Sequence, residues 1–342
     1  MTLYPAPLRP GDVVGVTAPS SGVGPALRPR LEVAFDALRG EGYAVRPGRC
    51  LDGGGVVSAP ATERAAELEE MLCDPEVRAV VPPWGGELAI DLLHLVDWDR
   101  VAGAEPTWTV GYSDISTVLT PLTLLTGWAS VHGANLMDTP FRQPAGLLPW
   151  WDLCVAAPGE DVRQSSPGRY QDGVFVDYAL HPGATELELD GTGSWQRLDS
   201  TEPVTLTGRL LGGCVETLTN LTGTPYLDVG AWADVHAPEG VLVHLEAAEA
   251  DALTVVARHL HGLRLAGFFD RAVGVLVGRT SAPDADGYTQ QDAVLDALGP
   301  LGVPLVAGVE CGHVAPRMPM MSGALATAEW TPGRGVLTQR LV

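Results

Sequence analysis

The chain has 342 residues, and 42 acidic residues against 21 basic ones give it a formal net charge of −21 at pH 7. A surface this acidic repels phosphate backbones, which argues against a nucleic-acid polymer as the partner. All of the basic residues are arginine, so chemistry that needs a lysine ammonium group, such as a Ser-Lys dyad or a Schiff base, is excluded.

Strands and helices alternate along the first half of the chain. Apolar runs predict strands at residues 12–18, 43–46, 78–86 (with a turn) and 107–114, and helical spacing of apolar residues predicts helices at 26–40, 61–73, 87–96 and 115–127. Alternation of this kind builds a parallel sheet covered on both faces. We therefore expect a doubly wound α/β domain over residues 1–155.

The middle of the chain differs in composition. Residues 156–205 are rich in Gly, Pro, Ser and acidic residues, which predicts a linker and substrate loop with irregular β structure. Regular patterns then resume. They predict a turn into a helix at 208–221, strands at 240–246, 272–280 and 303–310, and helices at 251–263 and 292–302. We expect a second α/β domain over residues 206–342.

The cysteines and the N-terminus bear on the compartment. The cysteine count is odd and no C-x-x-C pair occurs, which argues against a disulfide framework or a zinc-thiolate site. The N-terminus lacks a basic segment leading into a long apolar core, and no apolar run reaches membrane-spanning length. The sequence therefore predicts a cytoplasmic protein with no membrane contact, metal or cofactor.

Ser113 lies in the segment Gly111-Tyr112-Ser113-Asp114, between an apolar strand and a helix. A serine on such a turn points its hydroxyl outward, and the free N–H groups of the helix N-terminus can stabilise an oxyanion. This is the logic of the nucleophile elbow G-x-S-x-G, although Ile115 replaces the second glycine. The alternative is that Ser113 or Asp114 merely caps the helix.

His313 and Glu246 also follow predicted strands. His313 lies in a loop after the strand at 303–310, and it could equally be an ordinary hydrogen-bonded loop histidine. Glu246 ends the strand at 240–246, where a carboxylate can orient an imidazole. Alternatively, Glu246 only places a negative charge near the N-terminus of the following helix, as Glu249 and Asp251 would do equally well. Taken together with Ser113, the two residues have a permitted triad order and would meet between the domains.

Gly85 and Gly86 follow the strand at 78–86. Glycines let backbone N–H groups approach a ligand closely, so this pair could supply an oxyanion donor. A simple turn before a helix is the alternative.

These elements together resemble the family of LD-carboxypeptidases and microcin C immunity (MccF-like) serine peptidases. The resemblance covers nearly the whole chain. It is carried by LRPGDVVGVTAPSS, WGGEL, GYSDIS, VHGANLM, GRLLGGCVETL, the strand ending at Glu246, and GHVAPRMP.

The resemblance implies a fold, a triad and an assembly. It implies a flavodoxin-like N-terminal domain with a smaller, swivelling β/α C-terminal domain, usually in a homodimer. It assigns Ser113 as nucleophile, His313 as base and Glu246 as its orienting residue. It assigns the oxyanion hole to the N–H of Asp114 and to one glycine of the Gly85-Gly86 pair.

Two departures from murein LD-carboxypeptidases favour the MccF-like branch. The chain has PWGGE at residues 83–87 where those enzymes tend to have RGGYG. It has Gly212-Gly213-Cys214-Val215 where they tend to have GGNL, and we place Cys214 among the substrate-binding residues. The MccF-like branch cleaves an aminoacyl-nucleotide amide, and Trp195 is our candidate to stack on the base. Trp195 could equally be a loop anchor.

Three functions remain open on this evidence. The first is an MccF-like serine carboxypeptidase or amidase acting on a small peptide or an aminoacyl nucleotide. The second is a murein LD-carboxypeptidase that releases D-Ala from a tetrapeptide. The third, of a different class, is a catalytically silent protein that binds small peptides or nucleotides.

Overall fold

The structure is a computed structural model that describes residues 2–173, 175–248 and 252–342, without the side chains of residues 253–255. Glu249 and Asp251, the alternative helix charges beside Glu246, lie outside the described residues. The described chain forms two large sheets with helices packed on them, so the prediction of a two-domain α/β fold is confirmed.

The first sheet is mostly parallel. Its parallel strands are β1 (Val13–Val16), β2 (Ala44–Pro47), β3 (Val77–Val80), β4 (Trp108–Gly111) and β5 (Ser130–His132), in the spatial order β5-β4-β3-β1-β2. The helices of this half are α1 (Arg28–Gly40), α2 (Ala61–Cys73), α3 (Trp98–Ala102), α4 (Ser116–Thr126) and α5 (Trp150–Cys154). Helix α1 buries Leu31, Ala34, Phe35 and Leu38, the spacing of one helical face.

The second sheet is mixed. The remaining strands are β6 (Asp161–Ser165), β7 (Arg169–Tyr170), β8 (Gly191–Thr192), β9 (Gln196–Arg197), β10 (Val204–Cys214), β11 (Val241–Glu246), β12 (Ala272–Gly278), β13 (Leu305–Val309), β14 (Met320–Ser322), β15 (Leu325–Thr331) and β16 (Arg334–Arg340). The spatial order is β6-β16-β15-β10-β11-β12-β13-β9, in which β10 to β13 are parallel. The helices are α6 (Val215–Leu218), α7 (Val229–His236), α8 (Arg258–Leu265) and α9 (Gln290–Leu298), with a π-helix at Ala252–Ala257 before α8.

The predicted helix at residues 87–96 is wrong. The structure has only a 3-10 turn at Ala89–Leu92, followed by further turns. Arg64 donates a hydrogen bond to the Leu88 carbonyl (3.1 Å), and the Ala89 N–H donates to the Asp114 carboxylate (2.8 Å). Side chains from elsewhere therefore hold this segment, and tertiary contacts override its helical spacing.

The predicted turn at residues 208–214 is also wrong, because β10 continues to Cys214. Its residues pair with β11 up to the pair Cys214–Glu246. A Cβ on Gly208 would come within 2.9 Å of the Leu242 nitrogen. The glycines of this segment therefore allow close strand packing instead of making a turn.

The predicted linker contributes strands to the second sheet. Strand β6 pairs with β16 and β9 pairs with β13, while β7 and β8 pair with each other. The chain returns to the first sheet at β14, which pairs with β5. The exact limits at residues 155 and 205 stay predictions.

Helix α4 joins the two halves. Thr120 Oγ1 donates to the Gly212 carbonyl (2.9 Å), and the Cys214 N–H donates to Ser116 Oγ (3.1 Å). Because α4 starts just after β4, and β10 is the neighbour of β11, these contacts bring the carboxyl ends of β4 and β11 together. Sites in α/β proteins form at such ends. In the part of the chain that is described, each helix is too short or too polar to span a bilayer.

Candidate active site

Ser113 lies on a sharp turn between β4 and α4. Tyr112 is extended, with φ −151° and ψ −174°, and Ser113 then takes φ 64°. Such a left-handed value is uncommon for a residue with a side chain, costs about 1–3 kcal/mol, and persists only where the surroundings enforce it. Ser113 and Asp114 lie inside the 3-10 turn at Ser113–Ile115, and the cap position of α4 is Ile115, without a side-chain hydrogen bond, so the interpretation of Ser113 or Asp114 as the helix cap does not fit.

Asn135 and Gly111 hold this turn in place. Asn135 Oδ1 accepts a hydrogen bond from the Tyr112 N–H (3.2 Å), and its Nδ2 donates to the Tyr112 carbonyl (3.5 Å). A Cβ on Gly111 would come within 2.8 Å of the same Oδ1 and 2.7 Å of the Ile115 side chain. The first glycine of the motif is therefore needed for space. Asn135 was not predicted from the sequence.

The Ser113 hydroxyl leads to His313 and then to Glu246. Ser113 Oγ lies 3.0 Å from His313 Nε2, and His313 Nδ1 lies 2.7 Å from Glu246 Oε2. With the proton on Nδ1, the imidazole donates to the carboxylate and accepts from the hydroxyl. Ser113 follows β4, Glu246 ends β11, and His313 lies in the loop after β13. The fold thus joins the three predicted residues in one hydrogen-bonded line.

The Glu246–His313 pair is buried and mutually stabilised. The Glu246 side chain is 0% exposed and that of His313 is 13% exposed. Burial disfavours the charge on each group, but the attraction between them outweighs it. The pKa of His313 is consequently raised and that of Glu246 is lowered from their usual values. A raised pKa makes His313 a stronger base toward Ser113.

Gly312 and Arg317 position the His313 loop. Gly312 has φ 94°, and a Cβ there would come within 2.5 Å of Glu246 Oε2. Arg317 Nε donates to the Gly312 carbonyl (2.8 Å), and its guanidinium lies over the Tyr112 ring, 4.5 Å from the centroid. Arg317 therefore links the base loop to the nucleophile turn. It belongs to the GHVAPRMP motif, but its role could not be inferred from the sequence because it depends on contacts across the domains.

The predicted oxyanion segment lies beside the nucleophile. A Cβ on Gly85 would come within 2.9 Å of Ser113 Oγ and 3.0 Å of the Asp114 nitrogen. Gly86 has φ 142° and faces Ser21, whose nitrogen a Cβ would approach to 2.9 Å. The structure therefore places Gly85 closer than Gly86 to the Ser113 hydroxyl.

Asp114 fixes the turn through its side chain. Its carboxylate accepts hydrogen bonds from Ser20 Oγ (2.5 Å), the Ala89 N–H (2.8 Å) and Thr117 Oγ1 (3.2 Å). Through these bonds, one carboxylate contacts the loop after β1, the segment after Gly86 and helix α4. The oxyanion role of the Asp114 backbone N–H stays a prediction.

Trp195 does not lie where a base could stack on it. Its side chain is 2% exposed and packs in the core of the second sheet. Its Nε1–H donates to Glu310 Oε2 (2.7 Å), and Glu310 also accepts from Arg279 (2.8 Å). A ring enclosed in this way has no free face, so our expectation of a base-stacking role is wrong for this conformation. The alternative, a loop anchor, fits the structure.

Cys214 supports the triad from behind instead of facing solvent. The residue is 2% exposed, and its thiol donates to Glu216 Oε2 (3.0 Å). The thiol also lies beside Glu246 and helps to lower the pKa of that carboxyl. Direct contact between this buried thiol and a substrate does not fit the structure.

Three buried residues behind the triad could hold a metal ion. His132, His244 and Cys311 place their ligand atoms within 4.8 Å of one another. The sequence shows no ligand spacing typical of zinc, so these residues were not among its predicted site residues. The three residues come from distant parts of the chain, so no spacing rule reveals them.

Both halves of the chain match models of one protein family. Residues 14–133 match the LD-carboxypeptidase N-terminal domain, and residues 207–328 match the LD-carboxypeptidase C-terminal domain. A Streptomyces coelicolor protein that bears a carboxypeptidase name is 30% identical, over 98% of this chain and 95% of its own. A Bacillus subtilis protein named as a probable murein peptide carboxypeptidase is 27% identical, over 96% of this chain and 92% of its own.

A solved structure shares the fold. That structure is MccF in complex with glutamyl sulfamoyl guanosine, with a TM-score of 0.79 and 18% identity. The superposition covers 99% of this chain and 98% of the other. The agreement supports the two-domain arrangement described above.

Proposed function

The chain belongs to the LD-carboxypeptidase family, and we propose that it is a serine carboxypeptidase or amidase that cleaves a C-terminal amide bond of a small peptide or an aminoacyl nucleotide. The hydrogen-bonded line from Ser113 through His313 to Glu246 is the observation that carries this proposal. The proposed reaction needs no metal ion, because the three side chains supply nucleophile, base and orienting charge.

The first step forms a tetrahedral intermediate on Ser113. Its Oγ attacks the scissile carbonyl carbon while His313 Nε2 takes the hydroxyl proton, and the carbonyl electron pair moves onto oxygen. Glu246 then faces an imidazolium, and at 2.7 Å in a buried site its charge stabilises that cation. The same bond keeps Nε2 unprotonated before the attack.

Backbone amides beside Ser113 would stabilise the oxyanion. The N–H of Asp114 begins the turn into α4, and Gly85 lies against both Ser113 and the Asp114 nitrogen. A side chain at residue 85 would occupy the space where the oxyanion forms. We therefore assign the second donor to the Gly85-Gly86 segment, where preorganised N–H groups act on the charge as it develops.

The leaving group departs with the proton that His313 holds. His313 donates this proton to the amine nitrogen as the C–N bond breaks, which leaves an acyl ester on Ser113. A water molecule then attacks the ester carbon while His313 takes its proton. His313 then gives this proton to Ser113 Oγ as the ester C–O bond breaks, which releases the acid and completes the cycle.

The substrate class rests on the resemblance and on relatives. The segments PWGGE and GGCV favour the MccF-like branch, and MccF itself has been solved with glutamyl sulfamoyl guanosine. We therefore propose an aminoacyl-nucleotide or similar C-terminal amide as the substrate. The Bacillus subtilis relative named for murein peptide supports the murein tetrapeptide as the second candidate.

A substrate panel tests the proposal. The purified protein and its Ser113→Ala variant are incubated with an aspartyl sulfamoyl nucleotide carrying a cleavable amide, with murein tetrapeptide and with unrelated dipeptides, and products are identified by mass spectrometry. We expect hydrolysis of one of the first two substrates by the wild type, and a loss of several orders of magnitude in the folded variant. Binding without cleavage by the wild type would favour the silent binding protein.

A further inference from the structure

Three metal-ligating side chains meet behind the triad. His132 ends β5 of the first sheet, and His244 lies on β11, two residues before Glu246. Cys311 lies in the loop after β13, two residues before His313. All three residues are buried, and their ligand atoms lie within 4.8 Å of one another. We call them the His132–His244–Cys311 cluster.

Three of the four imidazole nitrogens of the cluster have no hydrogen-bond partner among the described residues. Neither ring nitrogen of His132 has a hydrogen-bond partner among the described residues, and the same holds for Nε2 of His244. The two rings lie with their centroids 5.1 Å apart, and His244 Nδ1 lies 4.0 Å from Cys311 Sγ. Leaving a buried polar group unpaired costs about 1–3 kcal/mol. Several such atoms beside one thiol point to a ligand that accepts lone pairs.

The charges around the cluster favour a cation. Two buried carboxylates lie beside the cluster along the chain, because Glu246 follows His244 by two residues on β11 and Glu310 directly precedes Cys311. A positive ion held between these groups would be attracted by both carboxylates and would offset the cost of burying them.

We propose that His132, His244 and Cys311 bind one zinc ion at the junction of the two domains. Imidazole nitrogen and thiolate sulfur are ligands that zinc takes in proteins, at about 2.0 and 2.3 Å. Tetrahedral angles at these lengths put ligand atoms roughly 3.3–3.6 Å apart, so the three side chains would close by about 1 Å. Cys311 releases its thiol proton to solvent when the ion binds.

The ion would connect the two domains close to the reacting groups. His132 lies on β5, the neighbour of β4, and β4 leads to Ser113. His244 lies on β11 with Glu246, and Cys311 lies in the same loop as His313. Because the ligands come together only in the folded chain, zinc binding would stabilise the docked domains by mass action. The role is structural and separate from the hydrolytic steps.

Metal analysis of the full-length protein tests the site. The protein is produced in zinc-supplemented medium without a metal-affinity tag, and zinc per chain is measured by inductively coupled plasma mass spectrometry. Refolding in cobalt then reports thiolate ligation through its near-ultraviolet charge-transfer band. The variants are Cys311→Ala and His244→Leu. The matched control is Cys154→Ala, because Cys154 is an equally buried free thiol in the other core.

We expect about one zinc per wild-type chain and the same content in Cys154→Ala. The zinc content per chain of Cys311→Ala and of His244→Leu should be at least about tenfold lower than that of the wild type. The cobalt charge-transfer band should disappear in Cys311→Ala. A wild-type protein that takes up no zinc, or a Cys311→Ala protein that retains it, would overturn the proposal. If the variants do not fold, the wild-type protein refolded in cobalt still tests the proposal: absence of the thiolate charge-transfer band would overturn it. None of these measurements depends on hydrolytic activity.

Discussion

Replacing Glu246 by glutamine removes the charge behind the base but keeps the size of the side chain. The carboxylate is fully buried and lies 2.7 Å from His313 Nδ1. Two unit charges about 4 Å apart at an effective dielectric constant of about 20 attract each other by roughly 4 kcal/mol. At about 1.4 kcal/mol per factor of ten, losing this stabilisation of the imidazolium should lower kcat/KM by roughly 10³-fold.

The same substitution should also change the pH profile. In the wild type the pKa of His313 is raised, so the rising limb of kcat/KM, which reports loss of the proton from the base, should lie above the usual histidine value of about 6.5. Without the negative partner, the pKa of His313 falls, and the limb should move to lower pH although the maximal rate is lower.

Steady-state kinetics from about pH 5 to 9 on the substrate found in the panel measures both effects. The matched control is Glu216→Gln, because Glu216 bonds to the Cys214 thiol and to the Ala248 N–H and acts on His313 only through space, more weakly than Glu246 does. The control should lose less than about tenfold. A folded Glu246→Gln enzyme that retains kcat/KM within about tenfold, with its limb unmoved, would refute the reasoning.

Three further predictions address the oxyanion segment, metal dependence and Trp195. Gly85→Ala should lower kcat by at least about 10²-fold, because the new Cβ would come within 2.9 Å of Ser113 Oγ and displace the nucleophile turn. The control Gly40→Ala meets no atom within 4 Å and should be active; equal activity of the two variants would contradict the assignment. Hydrolysis should persist in EDTA; activity lost there and restored by zinc, with the free energy of unfolding unchanged, would give a metal a part in the reaction. Trp195→Ala should lower the free energy of unfolding by about 3–5 kcal/mol, measured by denaturant titration, because the ring is buried. Unchanged stability, together with a loss of activity only toward nucleotide substrates, would restore the base-stacking role.

The triad could be predicted because each member follows a strand with a clear pattern. Ser113, Glu246 and His313 come after apolar runs that the structure shows as β4, β11 and β13. In α/β proteins, functional side chains gather beyond the carboxyl ends of strands, and here β4 belongs to one sheet while β11 and β13 belong to the other. The sequence pattern therefore placed each residue at the end of a strand, and the family resemblance grouped the three as a triad. Their meeting depends on the contacts of α4 with β10, which no local pattern encodes.

Other features depend on contacts that no local pattern encodes. The segment at 87–96 has helical spacing, but Arg64 and Asp114 hold its backbone in a 3-10 turn. Trp195 lies in a glycine-flanked stretch that suggests an exposed loop, yet its indole N–H pairs with the buried Glu310. The His132–His244–Cys311 cluster likewise arises only when the two sheets meet.

Labelling of Ser113 tests the central claim most directly. The protein is treated with a fluorophosphonate, and the modified residue is located by peptide mass spectrometry. We predict one adduct per chain on Ser113, formed much more slowly in His313→Ala, because the hydroxyl lies 3.0 Å from His313 Nε2 and depends on that base. Labelling at another residue, or equal labelling rates in the wild type and His313→Ala, would contradict the assignment of Ser113 as the activated nucleophile.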